Sequence, residues 1–328
     1  MTGIGDQLAA VVEETAFSGV ARVRGPETFD VAAGDADRAN RRPNRLTTRF
    51  ATASGTKGFT ALATMALIEA GDLALETPVA SIVGTDLPNI DHAVTIEHLL
   101  EHRSGIGDYL DEDELDDNDA YILGSRSVHE FDSASAFIDL LAAPPQREEP
   151  GSTFRYNNSG FVVLSLLIER VAGSYVEAVG RLVFEPAGMV ESGFFRSDDL
   201  PADTALGYLE NGRTNVFHLP VVGAGDGGAY VTLDDLDRFW DALLDGSIVA
   251  ATTVEQMVTM RSVHNGEIGY GLGFWVSTDN GHVWLEGMDA GVSLVTGVHR
   301  STGLRYSMLS NTSGGVWPLA TTVNPGAG

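Results

Sequence analysis

Cysteine is absent from the chain, which excludes disulfides, thiolate zinc sites and a cysteine nucleophile. No run approaches the ~20 uninterrupted apolar residues that a membrane-spanning helix requires. The opening stretch, MTGIGDQLAAVVEE, lacks a basic region followed by an apolar one, so no secretory signal is recognised and a cytoplasmic location is expected. Basic residues are scarce: 20 Lys and Arg stand against 46 Asp and Glu, a formal net charge of −26. A field of that sign repels phosphate, so neither nucleic acid nor an anionic membrane is expected as a partner. Lysine is scarcer still, for Lys57 is the only one and every other basic residue is arginine. An acidic shell suits a protein in high salt, where mobile ions screen self-repulsion; a GC-rich genome would favour arginine equally well.

What remains is the composition of an ordinary globular protein: 328 residues, 43% hydrophobic, with 38 glycines and 12 prolines. That length fits one large domain or two that share a core. Residues 3–15 read as an amphipathic helix, and 18–24 with 28–33 as a short hairpin. A helical pattern runs from Ser54 to Ala70, stopped by Gly71. Further helices are expected at 95–102, 134–142, 160–171, 175–184 and 233–244. The last part changes to strands at 273–278, 282–286, 292–299 and 304–311. Strands at both ends with helices between predict an α+β fold, an antiparallel sheet of N- and C-terminal strands flanked by helices, with a mostly helical insertion. The expected division is a sheet unit of 1–60 and 255–328 and a helical unit of 61–254, with a cleft between them.

The lone lysine sits in Ser54-Gly55-Thr56-Lys57, an S-x-x-K pattern at a predicted helix start. Positions three apart share a helical face, so the amine can reach the hydroxyl. A serine hydroxyl needs a base before it attacks, and a desolvated neutral lysine can serve. The pattern also arises by chance with Ser54 as a simple helix cap, but its possession of the only lysine argues otherwise. A second element, Tyr156-Asn157-Asn158, directly precedes the 160–171 helix. Tyr156 can shuttle a proton, and Asn158 can bind a substrate amide or orient Lys57. Alone, such a loop reads as an asparagine-rich cap.

Together these segments resemble the serine β-lactamase and penicillin-binding-protein-like hydrolases, in the branch of class C β-lactamases, D-stereospecific peptidases and esterases. Residues 50–60, FATASGTKGFT, resemble the nucleophile segment of that family, and 69–79 its continuation. Thr95 to Ile106, TIEHLLEHRSGI, resembles its T-I-x-H-L-L-x-H-x-S-G segment. Residues 227–230, 235–239 and 270–274 resemble later ones. The resemblance implies an acyl-enzyme on Ser54, proton transfer by Lys57 and Tyr156, substrate positioning by Asn158, and no metal or organic cofactor. The oxyanion hole would combine the Ser54 N–H with one from the strand near Gly287 and Gly291. The implied partner is a small ester, amide or β-lactam. The chain departs from the family at the third motif, where a strand normally carries Lys or His, a small residue and Gly. Here Gly287 places Leu285 at the basic position, or Glu286 after a one-residue shift. The missing cation normally holds a substrate carboxylate, so esters are expected to be better substrates than β-lactams. His282 and Arg300 are the nearby basic candidates, both read as surface residues.

Three other patterns compete. His98-Leu99-Leu100-Glu101-His102 spells the H-x-x-E-H signature of a zinc peptidase, the alternative to its reading as a structural helix. Gly223, Gly225 and Gly228 satisfy G-x-G-x-x-G, but β-prone residues follow where a dinucleotide fold needs a helix. The acidic run Asp108–Asp119 lacks a calcium-loop glycine and reads as a solvated loop. A further alternative is a non-catalytic sensor that retains the fold.

Overall fold

The computed structural model describes residues 3–26, 28–115, 117, 119–120, 123 and 126–324. Its central feature is an eight-stranded, wholly antiparallel sheet. The strands are β1 (Gly19–Arg24), β2 (Thr28–Ala33), β3 (Ser262–Val263), β4 (Ile268–Tyr270), β5 (Trp275–Ser277), β6 (His282–Asp289), β7 (Val292–His299) and β8 (Leu304–Ser310). Their order across the sheet is β2-β1-β8-β7-β6-β5-β4-β3. The N-terminal hairpin thus joins the C-terminal strands through β1 and β8, with Gly19 opposite Ser310 and Arg24 opposite Arg305.

Alternation along the strands sends side chains to two separate apolar layers. Val20, Leu285, Leu294 and Leu309 face the main core; Ala21, Trp284, Val295 and Met308 face a second one. The second layer is closed by α1 (Ile4–Glu14) and α5 (Trp317–Val323), which supply Leu8, Leu319 and Val323. The main core contains α2 (Thr56–Ala70), α3 (Asn158–Ala172) and α4 (Leu233–Asp245). α4 lies against the sheet: its Trp240 indole donates to Thr296 Oγ1 of β7 at 2.8 Å. α2 is buried over nearly its whole surface, the state its continuous apolar composition predicts, and ends at Gly71 with φ +82°.

Some boundaries moved. Ser54 lies in a 3-10 turn, Ala53–Gly55, ahead of α2 rather than in its first turn. α3 begins at Asn158, two residues before the predicted start, because Asn157 caps it: its Oδ1 accepts the Gly160 N–H at 2.6 Å. The expected 95–102 helix spans only Ile96–Leu100. Strands β3 and β4 and helix α5 were not expected, being too short to show a period in sequence.

Candidate active site

The Ser54 turn is held between three pieces of structure. Before it, Phe50–Ala51 pairs with Ala229–Val231, and the Thr52 N–H donates to Ala229 O at 2.9 Å. Ala53 takes φ +45°, a region that L side chains rarely adopt, and this bend turns Ser54 out of the strand direction. Small residues then let the sheet come close. A Cβ on Gly55 would stand 2.6 Å from Leu294, and one on Gly58 2.6 Å from Leu285. A Cβ on Gly287 of β6 would meet the Ser54 nitrogen at 2.4 Å and Thr52 O at 2.7 Å, so β6 touches the serine turn backbone to backbone.

Lys57, one turn on, is 1% exposed. Its Nζ lies 2.8 Å from Ser54 Oγ, 2.7 Å from Asn158 Oδ1 and 3.0 Å from the Asp226 carbonyl oxygen, three acceptors for the three protons of an ammonium. It also sits 4.9 Å from the centre of the Tyr156 ring. Burial lowers the Lys57 pKa; the carboxylates of Asp226, Glu112, Asp289 and Asp108 pull the other way. Tyr156 bonds to Ser54, and its phenol is held well above the ordinary value by burial, with Glu112 adding to the effect. The hydroxyl therefore stays protonated. Its ring is stacked on Trp275 at 5.9 Å.

Asn158 links these groups to a loop. Its amide nitrogen donates to Leu110 O at 3.0 Å and to Glu112 Oε1 at 2.8 Å, while its oxygen receives Lys57. Of the two tasks considered for Asn158, the geometry places it on Lys57, with both amide protons already engaged. The loop itself is fixed by Asp108, whose carboxylate accepts the N–H groups of Asn158 and Ser159 at 2.6 and 2.9 Å. Burial pushes the Asp108 carboxyl up to about 6. The start of the acidic run is thus part of the site and not simply a solvated loop. Its members Asp116 and Asn118 lie outside the described residues.

The strand glycines separate. Gly287 lies against the Ser54 turn. Gly291 does not: its N–H donates to Ser313 Oγ at 2.8 Å, and its φ of +70° serves the turn from β6 to β7 against Tyr208. The third-motif position is also decided by alternation. Leu285 and Gly287 point toward α2 and the serine turn, whereas Glu286 looks into the outer cleft with Tyr156, Trp275, Met288 and Trp317. Neither of the two basic candidates takes its place. His282 is buried rather than surface-exposed, bonded to Tyr306 and pushed down to about 3 by burial; Arg300 pairs with Glu255.

The zinc arrangement does not form. His98 and His102 do not share a helical face, because the helix stops at Leu100 and His102 has φ +55°. His98 Nδ1 accepts the Thr95 N–H in a capping box, and His102 Nδ1 accepts the Asn157 N–H at 3.0 Å. Among the described residues no group of three His, Cys, Asp or Glu is placed to hold a metal. His102 is instead a buried neutral wedge, its pKa driven far down by burial, 4.4 Å from the Tyr156 ring. The glycine-rich stretch is a packing device: a Cβ on Gly225 would strike Phe161 O of α3 at 2.0 Å.

Sequence reasoning missed Tyr109, Asp226 and Asp289. The Tyr109 hydroxyl donates to Asp226 Oδ2 at 2.6 Å, and both acids line the cavity beside Ser54. An aspartate inside a run of glycines was the available signal for Asp226. Asp289 had none, since only strand pairing brings it to the site.

A family profile described as Beta-lactamase matches residues 7–322. The chain belongs to the beta-lactamase family. Within this family, the crystal structure of a penicillin binding protein from Bacillus halodurans shares 36% identity and a TM-score of 0.91, covering 97% of this chain and 99% of that one. The protein PbpX of Bacillus subtilis (strain 168) is 28% identical over 83% of this chain and 65% of its own length. Esterase EstB of Burkholderia gladioli is 36% identical over 51% of this chain and 44% of its own. The chain therefore spans less than two thirds of these two curated relatives. No helix among the described residues is long and apolar enough to cross a membrane.

Proposed function

We propose that this beta-lactamase-family chain is a serine hydrolase that cleaves small esters or amides through an acyl-enzyme, and that it favours neutral esters over β-lactams. The observation that carries the reading is the contact of the buried Lys57 Nζ with Ser54 Oγ at 2.8 Å, fixed by Asn158. With Lys57 neutral, Ser54 gives its proton to Nζ as Oγ bonds to the substrate carbonyl carbon. The oxyanion is met by the Ser54 N–H and by a donor from the Gly287–Met288 segment, since the Gly291 N–H is engaged elsewhere. Beyond Trp284, β6 has no pairing with β5, so its edge there is open to the serine turn. As the bond to the leaving group breaks, Tyr156 donates its phenolic proton to the departing atom and recovers one from Lys57. Water then attacks the acyl carbon, its proton returns through Tyr156 and Lys57, and Ser54 is released with its hydroxyl restored.

The preference rests on Leu285. A charge-assisted hydrogen bond to a carboxylate contributes about 1.5–3 kcal/mol. At 1.36 kcal/mol per tenfold, lacking it lowers kcat/KM for carboxylate-bearing substrates by roughly ten- to a hundredfold. Nitrophenyl acetate or butyrate is expected to be hydrolysed well above any penicillin or cephalosporin. A fluorophosphonate is expected to add mass to the Ser54 peptide, and Ser54→Ala to abolish both labelling and turnover. Labelling elsewhere with activity intact in the alanine variant would sink the assignment; efficient penicillin turnover would sink the preference.

A further inference from the structure

A cavity opens on the inner side of Ser54. Its walls include Phe195, Leu219, Val221 and Val292, yet two carboxylates, Asp226 and Asp289, line it as well. Among the described residues, no arginine lines this cavity or the outer cleft that also opens on Ser54.

The four carboxylates that act on Lys57 are not equally occupied. Asp108 accepts backbone N–H groups, Glu112 accepts the Asn158 amide and Asp226 accepts the Tyr109 hydroxyl. Asp289 accepts no hydrogen bond among the described residues, and it stands in the cavity close to Asp226. One lysine cannot neutralise the set, and half-buried Asp289 turns an unpaired carboxylate toward the cavity. The Asp289 carboxyl is accordingly pushed up to about 7 by burial and by Asp226, against the pull of Lys57. The site is built to gain a positive charge that the protein itself does not supply. A metal ion fits poorly, because the described residues offer no third His, Cys, Asp or Glu in ligating position. An organic cation on an apolar stem fits both the walls and the acids.

We infer that the substrate's acyl group carries a cationic end, an alkylammonium, which enters this cavity and is received by Asp289 with Asp226 beside it. This rests on the acyl-enzyme reading above and names its substrate class. The apolar wall takes the stem, and the cation supplies the missing counter-charge when the carbonyl lies against Ser54.

The test uses a matched pair of nitrophenyl esters. One acyl chain is a butyrate with a terminal trimethylammonium group; the other is its uncharged isostere with a terminal tert-butyl group. At pH 8 the cationic ester is expected to exceed the neutral one in kcat/KM by about tenfold or more, once both are corrected for spontaneous hydrolysis. Asp289→Asn, which keeps the shape and removes the charge, is expected to collapse that ratio toward unity. The ratio is read within each variant, so general damage to the enzyme cancels. Equal rates for the two esters on the unmodified protein, or a ratio untouched by Asp289→Asn, would overturn the inference. Calorimetry of the two corresponding primary amides on Ser54→Ala keeps the questions apart. Tighter binding of the cationic amide supports the inference even if Ser54 proves not to be the nucleophile. Equal binding together with equal turnover overturns the inference while leaving serine hydrolysis standing.

Discussion

The proposed chemistry turns on Lys57, whose environment is two-sided. Burial disfavours the ammonium, while nearby carboxylates favour it; Asp226 is the foremost of these. If Lys57 acts as the base, it must be neutral, and the acid limb of the pH profile reports the loss of its proton. Asp226→Asn keeps an acceptor for Tyr109 and leaves the backbone carbonyl that holds Lys57 in place, but removes the negative charge. Lys57 then holds its proton less tightly, so the acid limb of kcat/KM for a neutral ester should move to lower pH. An unmoved limb, or one displaced upward, would show that another group titrates there. Tyr156 cannot replace Lys57 in that role, because burial and Glu112 raise its phenol instead of lowering it. At this scale Ser54 and Lys57 were legible as candidates from their spacing, and Tyr156 and Asn158 only from their loop taken together with that motif. Their partners Tyr109, Asp226 and Asp289 were not, since a single tyrosine or aspartate has no periodic signature.

At the scale of elements, the site depends on how closely β6 approaches the Ala53–Gly55 turn. Gly287 permits that contact: an added Cβ would lie within 2.8 Å of three backbone atoms, Ser54 N, Thr52 O and Gly55 N, none of which can swing aside as a side chain would. Gly287→Ala should therefore displace the nucleophile turn, lowering kcat/KM by about a hundredfold or more and reducing the rate of Ser54 labelling. Gly314→Ala is the control, since nothing stands within 4 Å of its added Cβ. Parity between the two variants would refute the close-contact account. The motif reading identified Gly287 but also Gly291, and here local pattern fails for a definite reason. Both lie on one β-hairpin, but Gly291 occupies the turn, where its N–H bonds Ser313 and its backbone meets Gly207 and Tyr208. The zinc-like H-x-x-E-H failed similarly: the signature presumes a continuous helix, and this one ends before His102.

For the whole molecule, the net charge of −26 sets the expectation. Self-repulsion is strongest where screening is weakest, with a Debye length of ~30 Å at 0.01 M against ~3 Å at 1 M. The melting temperature is expected to rise as salt is added from millimolar to molar concentration. A flat or falling curve would detach the acidity from salt and leave codon usage to explain arginine over lysine. The antiparallel sheet closed by both termini was readable from sequence, because alternating strands and amphipathic helices carry their period in every few residues. So was the meeting of Ser54 and Lys57, which lie three residues apart and are brought together by local geometry. What joins Lys57 to Asn158, 101 positions away, or Asp226 to Asp289, is the packing of α2, α3 and β6 around one point. The sequence by itself determined the fold class, through the order of its periodic segments, and the nearness of Ser54 to Lys57, through a spacing of three residues. Only the tertiary structure decided which glycine meets the serine, which histidines are wedges, and which carboxylate is left facing the cavity. Those outcomes are set by burial and by contacts between distant segments, and no local pattern encodes them.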